Sequence, residues 1–139
     1  MDVLLVDDQA VTVQVYAATV RKTFDGARVH TAVDLPEALQ IAAGRPLDLV
    51  LLDLTLPTCS GMEALERFRR AFPALPVLVV SASEEPDRAR ECLAAGARGY
   101  VAKTSALSQL PNAMRAVMAG ERYPLTCPPT AFPSTSRGT

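Results

Sequence analysis

Four short aliphatic runs in this chain each end in a side chain that can do chemistry. Val3-Leu4-Leu5-Val6 leads to Asp7-Asp8, Leu49-Val50-Leu51-Leu52 to Asp53, Val77-Leu78-Val79-Val80 to Ser81, and Gly99-Tyr100-Val101-Ala102 to Lys103. Strands that are apolar on both faces belong to parallel sheets covered by helices, and such sheets bind ligands beyond the carboxyl ends of their strands. If the sheet is parallel, Asp7, Asp8, Asp53, Ser81 and Lys103 converge on one edge. Three carboxylates with one lysine suit a hard divalent cation beside a transferable phosphoryl group. Mg²⁺ takes oxygen ligands and keeps several waters, so two or three acids and a backbone carbonyl suffice. Asp53 is then the nucleophile toward phosphorus, while Lys103 and the Ser81 hydroxyl hold the phosphoryl oxygens. The competing reading makes Asp7-Asp8 a solvated turn and Lys103 a surface residue. It requires four independent strand ends to carry suitable groups by chance.

The elements that must position these groups alternate along the chain. A helix is expected from Gln9 to about Thr23, with Val13, Tyr16, Ala17 and Val20 at the spacing of a core stripe. Val11, Val15 and Ala18 lie off that stripe; a wide buried face is the first expectation for them and a partner surface the second. Asp25-Gly26 breaks the helix, and Arg28–Ala32 reads as a strand. Asp34-Leu35-Pro36-Glu37 then offers an N-cap, an early proline and an acid at the third position. The second helix buries Leu35, Ala38, Leu39 and Ala42 and stops near Gly44. After Asp53, Ser60-x-x-Glu63 resembles a capping box, Met62, Leu65, Phe68 and Phe72 form an apolar face, and Pro73 ends the helix. A fourth helix starts around Ser83-Glu84-Glu85-Pro86 with a sparse stripe of Ala89, Cys92, Leu93 and Gly96. Gly99-Tyr100-Val101-Ala102-Lys103 reads as the fifth strand, and Leu110, Ala113, Met114 and Val117 mark a last helix stopped at Gly120. Pro111 falls inside it, and a start near Ser108 would place that proline in the first turn. Five strand-helix repeats predict an α/β fold, a doubly wound five-stranded parallel sheet of flavodoxin-like (βα)5 type with right-handed crossovers. Residues 1–120 form that domain, and 121–139, rich in Pro, Ser and Thr, read as a tail or interdomain linker.

Composition bounds the function. The chain has 139 residues, 49% of them hydrophobic, with 14 basic and 15 acidic side chains and a net charge of −1. That size fits one domain with an aliphatic core, and the charge balance argues against nucleic-acid binding by this segment itself. No apolar run approaches the roughly 20 residues of a membrane span, and Met1-Asp2-Val3 lacks the basic start of a secretory signal, so a cytoplasmic location is expected. Cys59, Cys92 and Cys127 lack metal-ligand spacing and read as free thiols. His30, the sole histidine, reads as a structural or surface residue.

The chain resembles the receiver domain of two-component response regulators from Val3 to about Gly120. The resemblance rests on Leu5-Val6-Asp7-Asp8, on Leu51-Leu52-Asp53-Leu54-Thr55-Leu56-Pro57 with Gly61, on Val79-Val80-Ser81-Ala82 and on Gly99-Tyr100-Val101-Ala102-Lys103. It implies that Asp53 is the phosphoacceptor, that Asp7 and Asp8 hold Mg²⁺ (or Mn²⁺ in its place), and that Thr55 gives a backbone carbonyl to the metal. It makes Ser81 the hydroxyl switch, Lys103 the family's cation and Tyr100 the aromatic switch that turns inward when Ser81 moves toward the phosphoryl group. From spacing alone Tyr100 is equally an ordinary half-buried strand aromatic. The resemblance also implies a sensor histidine kinase as phosphoryl donor, and self-dephosphorylation with the side chains of Thr55 and Ser83 placed to influence water access.

Residues 94–105 and 116–123 are similar to the NarL/FixJ subclass, whose receivers precede a LuxR-type helix-turn-helix. That implies a regulator of transcription acting through an effector domain outside this sequence, with a stand-alone phosphorelay receiver as the alternative. A homodimer through the first and last helices is motivated by the surplus apolar residues Val11, Val15 and Met118. Departures from the pattern are Thr104 after Lys103, where many receivers have proline, and Gln9 and Thr58, where the subclass often has histidine and glycine. An aspartyl-phosphate phosphatase shares the acid-plus-lysine logic, but it needs a second aspartate close after the nucleophile, where this chain has Thr55, and a cap that no insertion supplies. A receiver that takes no phosphate is weaker still, because every expected site residue is present.

Overall fold

The computed structural model describes residues 1–54 and 61–123. Five strands, β1 (Asp2–Val6), β2 (Arg28–Ala32), β3 (Leu49–Asp53), β4 (Val77–Ser81) and β5 (Gly99–Ala102), alternate with helices α1 (Ala10–Thr23), α2 (Leu35–Gly44), α3 (Gly61–Ala71), α4 (Pro86–Ala94) and α5 (Ala106–Met118). All pairings are parallel, and the sheet order is β2-β1-β3-β4-β5. This is the expected doubly wound (βα)5 sheet. The chain leaves β1 toward one edge and returns past it to β3, so the crevice between the ends of β1 and β3 is the switch point where such sheets bind ligands.

The two-residue period of a strand divides the core into two layers. Leu4, Val6, Val50, Leu52, Val77, Val79 and Tyr100 pack with α2, α3 and α4 on one face. Val3, Leu5, Leu49, Leu51, Leu78, Val80 and Val101 pack with α1 and α5 on the other. Every residue of β3 is buried. Each such aliphatic side chain contributes about 1.5–3 kcal/mol relative to exposure, so these strands can hold polar groups at their ends.

Local signals act as expected where they are strong. Asp34 caps α2, its Oδ1 accepting from Glu37 N at 3.0 Å, with Pro36 in the first turn. Pro86 opens α4, which buries Ala89, Cys92 and Leu93; Gly96 lies beyond its end at φ 110°. The capping residue expected for α3, Ser60, lies outside the described residues. So do Cys59, Cys127 and the tail beyond Tyr123, whereas Tyr123 itself stays on the sheet: its amide donates to Arg98 O at 3.0 Å and its carbonyl accepts from Tyr100 N at 2.8 Å.

Three expectations are corrected. Val11, Val15 and Ala18 do not widen the buried face of α1; all three are exposed, Val11 by 75%. The last strand ends at Ala102, and Lys103 opens a 3-10 turn, Lys103–Ser105, that runs into α5. Finally, α5 starts at Ala106 rather than near Ser108, which leaves Pro111 inside it. Ala106 and Leu110 are both buried, so packing of the first turn outweighs the hydrogen bond that Pro111 cannot donate to Leu107. Leu107 is exposed, and water can take its carbonyl. Pro111→Ala restores that bond and is expected to raise unfolding free energy by about 1–2 kcal/mol, the helix-interior cost of proline less its entropic benefit in the unfolded chain, measured by urea denaturation.

Candidate functional site

Strand parity sorts the site residues before any contact is considered. Asp7 continues the series of Leu5, Asp53 that of Leu51, and Lys103 that of Val101, all on the α1/α5 face. Asp7 follows β1 directly and extends its pairing, its amide donating to Ala32 O at 3.0 Å. Lys103 Nζ then stands 3.4 Å from Asp53 Oδ2 and 3.7 Å from Asp7 Oδ2. These separations exceed a good hydrogen bond, so the ammonium acts mainly as a charge and keeps donors for a further anion.

Asp7 and Asp53 are buried and Asp8 is exposed, yet carboxylate oxygens of all three lie within 4.8 Å of one another. Burial pushes the Asp7 carboxyl above its ordinary range. The Gln9 amide, which donates to Asp7 Oδ1 at 2.9 Å, and Lys103 oppose that rise, while the neighbouring Asp53 and Asp8 charges add to it. Three carboxylates against one lysine leave a surplus of negative charge that a divalent cation would neutralise. Hard oxygen donors, one of them solvent-exposed, fit a cation that retains water. The Thr55 carbonyl expected to join them lies outside the described residues.

Ser81 and Tyr100 belong to the opposite parity, with Val79, on the face that carries α4. Ser81 is buried, and its Oγ accepts from Ser83 N at 3.1 Å, which leaves the hydroxyl proton to be donated. Tyr100 is already turned inward, 6% exposed, and its hydroxyl donates to Ser83 O at 2.7 Å. Ser83 therefore joins Ser81 to Tyr100 through its backbone, while its Oγ accepts from Glu85 N at the start of α4. That backbone link is a feature that the sequence does not show; residue type assigns Ser83 only a side-chain role, and main-chain direction in a loop leaves no mark in residue type.

Gly61 has a steric reason to be glycine. A Cβ there would lie 2.4 Å from Leu54 Cα and 2.5 Å from Leu54 O, so α3 begins against the backbone that follows Asp53. His30, as expected, is structural: its Nε2 lies 3.0 Å from Asp2 Oδ1, at the opposite end of the sheet from Asp7. The buried Cys92 thiol lies 3.7 Å from Met62 Sδ, and burial pushes its pKa up to about 11, so it is inert as a nucleophile near neutral pH.

Fold and site together define a flavodoxin-like α/β domain with an acid-and-lysine cluster at its topological switch point. Residues 3–115 match the response regulator receiver domain, and the chain belongs to that family of regulators. It is 36% identical over 123 residues to the transcriptional activator protein ExaE of Pseudomonas putida, covering 88% of this chain and 58% of that protein. It is 35% identical over 118 residues to the sensor histidine kinase AruS of Pseudomonas aeruginosa, covering 82% of this chain and 12% of the kinase. A solved two-component response regulator of the LuxR family from Aurantimonas sp. SI85-9A1 superposes with a TM-score of 0.80 at 32% identity, covering 87% of this chain and 86% of that one. The chain spans little more than half the length of the regulators it matches, such as ExaE. Among the described residues no helix is long and apolar enough to cross a membrane.

Proposed function

We propose that this domain accepts a phosphoryl group on Asp53 from a phosphorylated histidine of a sensor kinase. The observation that carries the reading is the cluster itself: two buried carboxylates, a third exposed one and Lys103 gathered at the β1/β3 switch point. An oxygen of Asp53 forms the new bond to phosphorus as the bond from phosphorus to the donor imidazole breaks, and the electron pair leaves with the imidazole, which takes a proton. Lys103 meets the phosphoryl oxygens with the donors that its long contacts to Asp7 and Asp53 leave available, and the Ser81 hydroxyl donates to them from the other side. Asp7, Asp8 and Asp53, with the Thr55 carbonyl, are the residues to hold Mg²⁺ or Mn²⁺, which when bound supplies neutralisation of the charge gathered on the phosphoryl oxygens. The domain turns nothing over beyond its own phosphorylation and self-catalysed dephosphorylation.

The signal leaves the site through Ser81. Movement of its hydroxyl toward a phosphoryl oxygen breaks the bond from Ser83 N, and Ser83 O is the acceptor of Tyr100, so the start of α4 and the outer strand β5 respond together. Residues 1–120 are the receiver, to whose sheet Tyr123 still pairs, and the rest of 121–139 is the tail or linker, with transcriptional output through an effector domain, as in the regulators it resembles. The similarity to a short part of AruS favours a phosphorelay receiver as the second reading. Exposed apolar residues on α1 and α5 (Val11, Val15, Leu107 and Met118) support a homodimer through those helices. Light scattering is expected to show a dimer with beryllofluoride and Mg²⁺; a monomer in both states removes this interface.

The chemistry is tested by intact mass after incubation with acetyl phosphate and Mg²⁺. One adduct of about 80 Da, absent with a chelator and mapped to the peptide containing Asp53, is expected. An unmodified protein that still binds Mg²⁺ would overturn the reading.

A further inference from the structure

Two segments meet at the outer edge of the sheet, on the far side of β5 from β4. After α5 the chain turns at Gly120, φ 88°, with Gly120 N donating to Val117 O at 3.0 Å and Glu121 N to Ala116 O at 2.9 Å, the bonding of a helix that stops on a left-handed glycine. The turn lays Tyr123 beside Gly99, parallel to the start of β5. Tyr123 N donates to Arg98 O at 3.0 Å, and Tyr100 N donates to Tyr123 O at 2.8 Å. The Tyr123 side chain is half-buried against the α1/α5 layer. Tyr100 is therefore held on two sides. Its ring hydroxyl donates to Ser83 O, and Ser83 N donates to Ser81 Oγ, while its amide reaches outward to Tyr123. A run of hydrogen bonds thus leads from Ser81 at the site to Tyr123 at the edge.

We propose that the Tyr123 pairing is a latch: it ties the segment leaving α5 to the strand that carries Tyr100, and phosphorylation of Asp53 loosens it through Ser81, Ser83 and Tyr100. The latch rests on the reading of Asp53 as phosphoacceptor and of Ser81 as the hydroxyl that responds. Once Ser81 Oγ moves to donate to a phosphoryl oxygen, Ser83 N loses its acceptor. The Ser83 peptide is then free to turn, and it takes with it the carbonyl that fixes the Tyr100 ring. A ring that shifts draws the backbone of β5 with it, and a hydrogen bond of 2.8 Å weakens steeply as its partners move out of line. Because β4 holds β5 along its inner side, the displacement is felt on the outer side, where Tyr123 pairs. Coupling between two sites is reciprocal. A chain whose Tyr123 pairing is already absent gives up less on reaching the phosphorylated state, so it takes a phosphoryl mimic more tightly. Whatever follows Tyr123 receives the signal as a change in how firmly its starting point is held.

Amide hydrogen exchange tests the latch at Tyr100 and Tyr123, whose amides donate to Tyr123 O and Arg98 O. In wild type both are expected to exchange about fivefold faster with beryllofluoride and Mg²⁺ than without, the low end of the usual coupling between sites. The amide of Leu4, in β1, is expected to keep its rate. Ser81→Ala removes the acceptor of Ser83 N, and Tyr100→Phe removes the hydroxyl that meets Ser83 O. Each variant, with no mimic present, is expected to speed exchange at Tyr123 by a similar factor. Exchange at Tyr123 that is unchanged or slowed in either variant, or in wild type with the mimic bound, overturns the link. So does acceleration at Leu4 by the same factor, which is general loosening of the fold. Tyr123→Pro and Tyr123→Ala both lack the phenol, and only the proline also lacks the N–H. The proline variant is expected to reach half-saturation at about fivefold lower beryllofluoride, with alanine within about twofold of wild type. No shift with proline, or equal shifts in the two, overturns the proposal, the second outcome because side-chain packing then carries the effect. A wild type that takes neither adduct nor beryllofluoride would overturn the phosphoacceptor reading and the latch's control by it. The exchange rates in Ser81→Ala and Tyr100→Phe, measured without mimic, tell that failure from failure of the link itself.

Discussion

Asp53→Asn is expected to leave the fold intact and to abolish the phosphoryl adduct, the largest functional effect that any one substitution here should produce. Asparagine has nearly the volume of aspartate, so the buried end of β3 keeps its packing against Val80 and Leu51. What changes is the oxygen. A carboxylate oxygen carries charge and can attack phosphorus, whereas an amide oxygen shares its electrons with nitrogen and is a poor nucleophile. Lys103, 3.4 Å from Asp53 Oδ2 in the wild type, keeps its contact with Asp7 and stays at the site. The variant should show unchanged circular dichroism and no mass increase with acetyl phosphate at any Mg²⁺ concentration. An adduct of wild-type size in the variant would move the acceptor to another residue, for which Asp7 is the first candidate.

Asp7→Asn is expected to separate stability from function in opposite directions. Burial, the largest influence on Asp7, disfavours its charge, and the net effect is a raised pKa in the fold. A carboxyl whose folded pKa is raised contributes stability that is fully present below the unfolded value of 3.8 and is lost as pH rises through the folded value. At neutral pH the ionised group is therefore a net cost to the metal-free fold. The variant, neutral throughout, should match wild type at low pH and become the more stable of the two as pH rises, with a plateau above the folded pKa. Thermal unfolding in chelator across pH 3 to 8, taken as roughly the range over which carboxylates and then only histidines titrate, measures this. The same substitution removes a charged oxygen donor from the cation site. Loss of a mere outer partner of a metal ligand costs about 10–100-fold in affinity or activity. Loss of the ligand's charge should raise the Mg²⁺ concentration needed for phosphorylation by at least about 100-fold. A variant less stable than wild type at pH 7 in chelator, or one with unchanged Mg²⁺ dependence, would show that Asp7 serves packing rather than charge.

Both expectations depend on groups that were legible in the sequence because each sits at the end of a run that can only be a buried strand. Asp7, Asp8, Asp53, Ser81 and Lys103 all follow from that rule, independently of any family resemblance. Their chemical type, hard oxygen donors with one cation, suits a divalent cation beside a phosphoryl group. The reading failed where local preference met packing. Pro111 argued for a late start to α5, but the burial of Ala106 and Leu110 drew the helix back over the proline. Val11 and Val15 are apolar and close to the core stripe of α1, yet both stand outside the contact with the sheet.

The sequence by itself determined the order of elements, the cap of α2 and the residue types carried at the strand ends. These depend on residues close together in the chain: alternating buried runs, Asp34 and Pro36 at a helix start, Pro86 at another. Only the tertiary structure decided which groups face one another. Strand parity places Asp7, Asp53 and Lys103 on the layer of α1 and Ser81 with Tyr100 on the layer of α4, but parity becomes a site only once the order β2-β1-β3-β4-β5 brings distant strand ends side by side. The link through the Ser83 backbone has the same origin. It depends on distances across the sheet, and these follow from packing of the two helical layers rather than from any spacing along the chain.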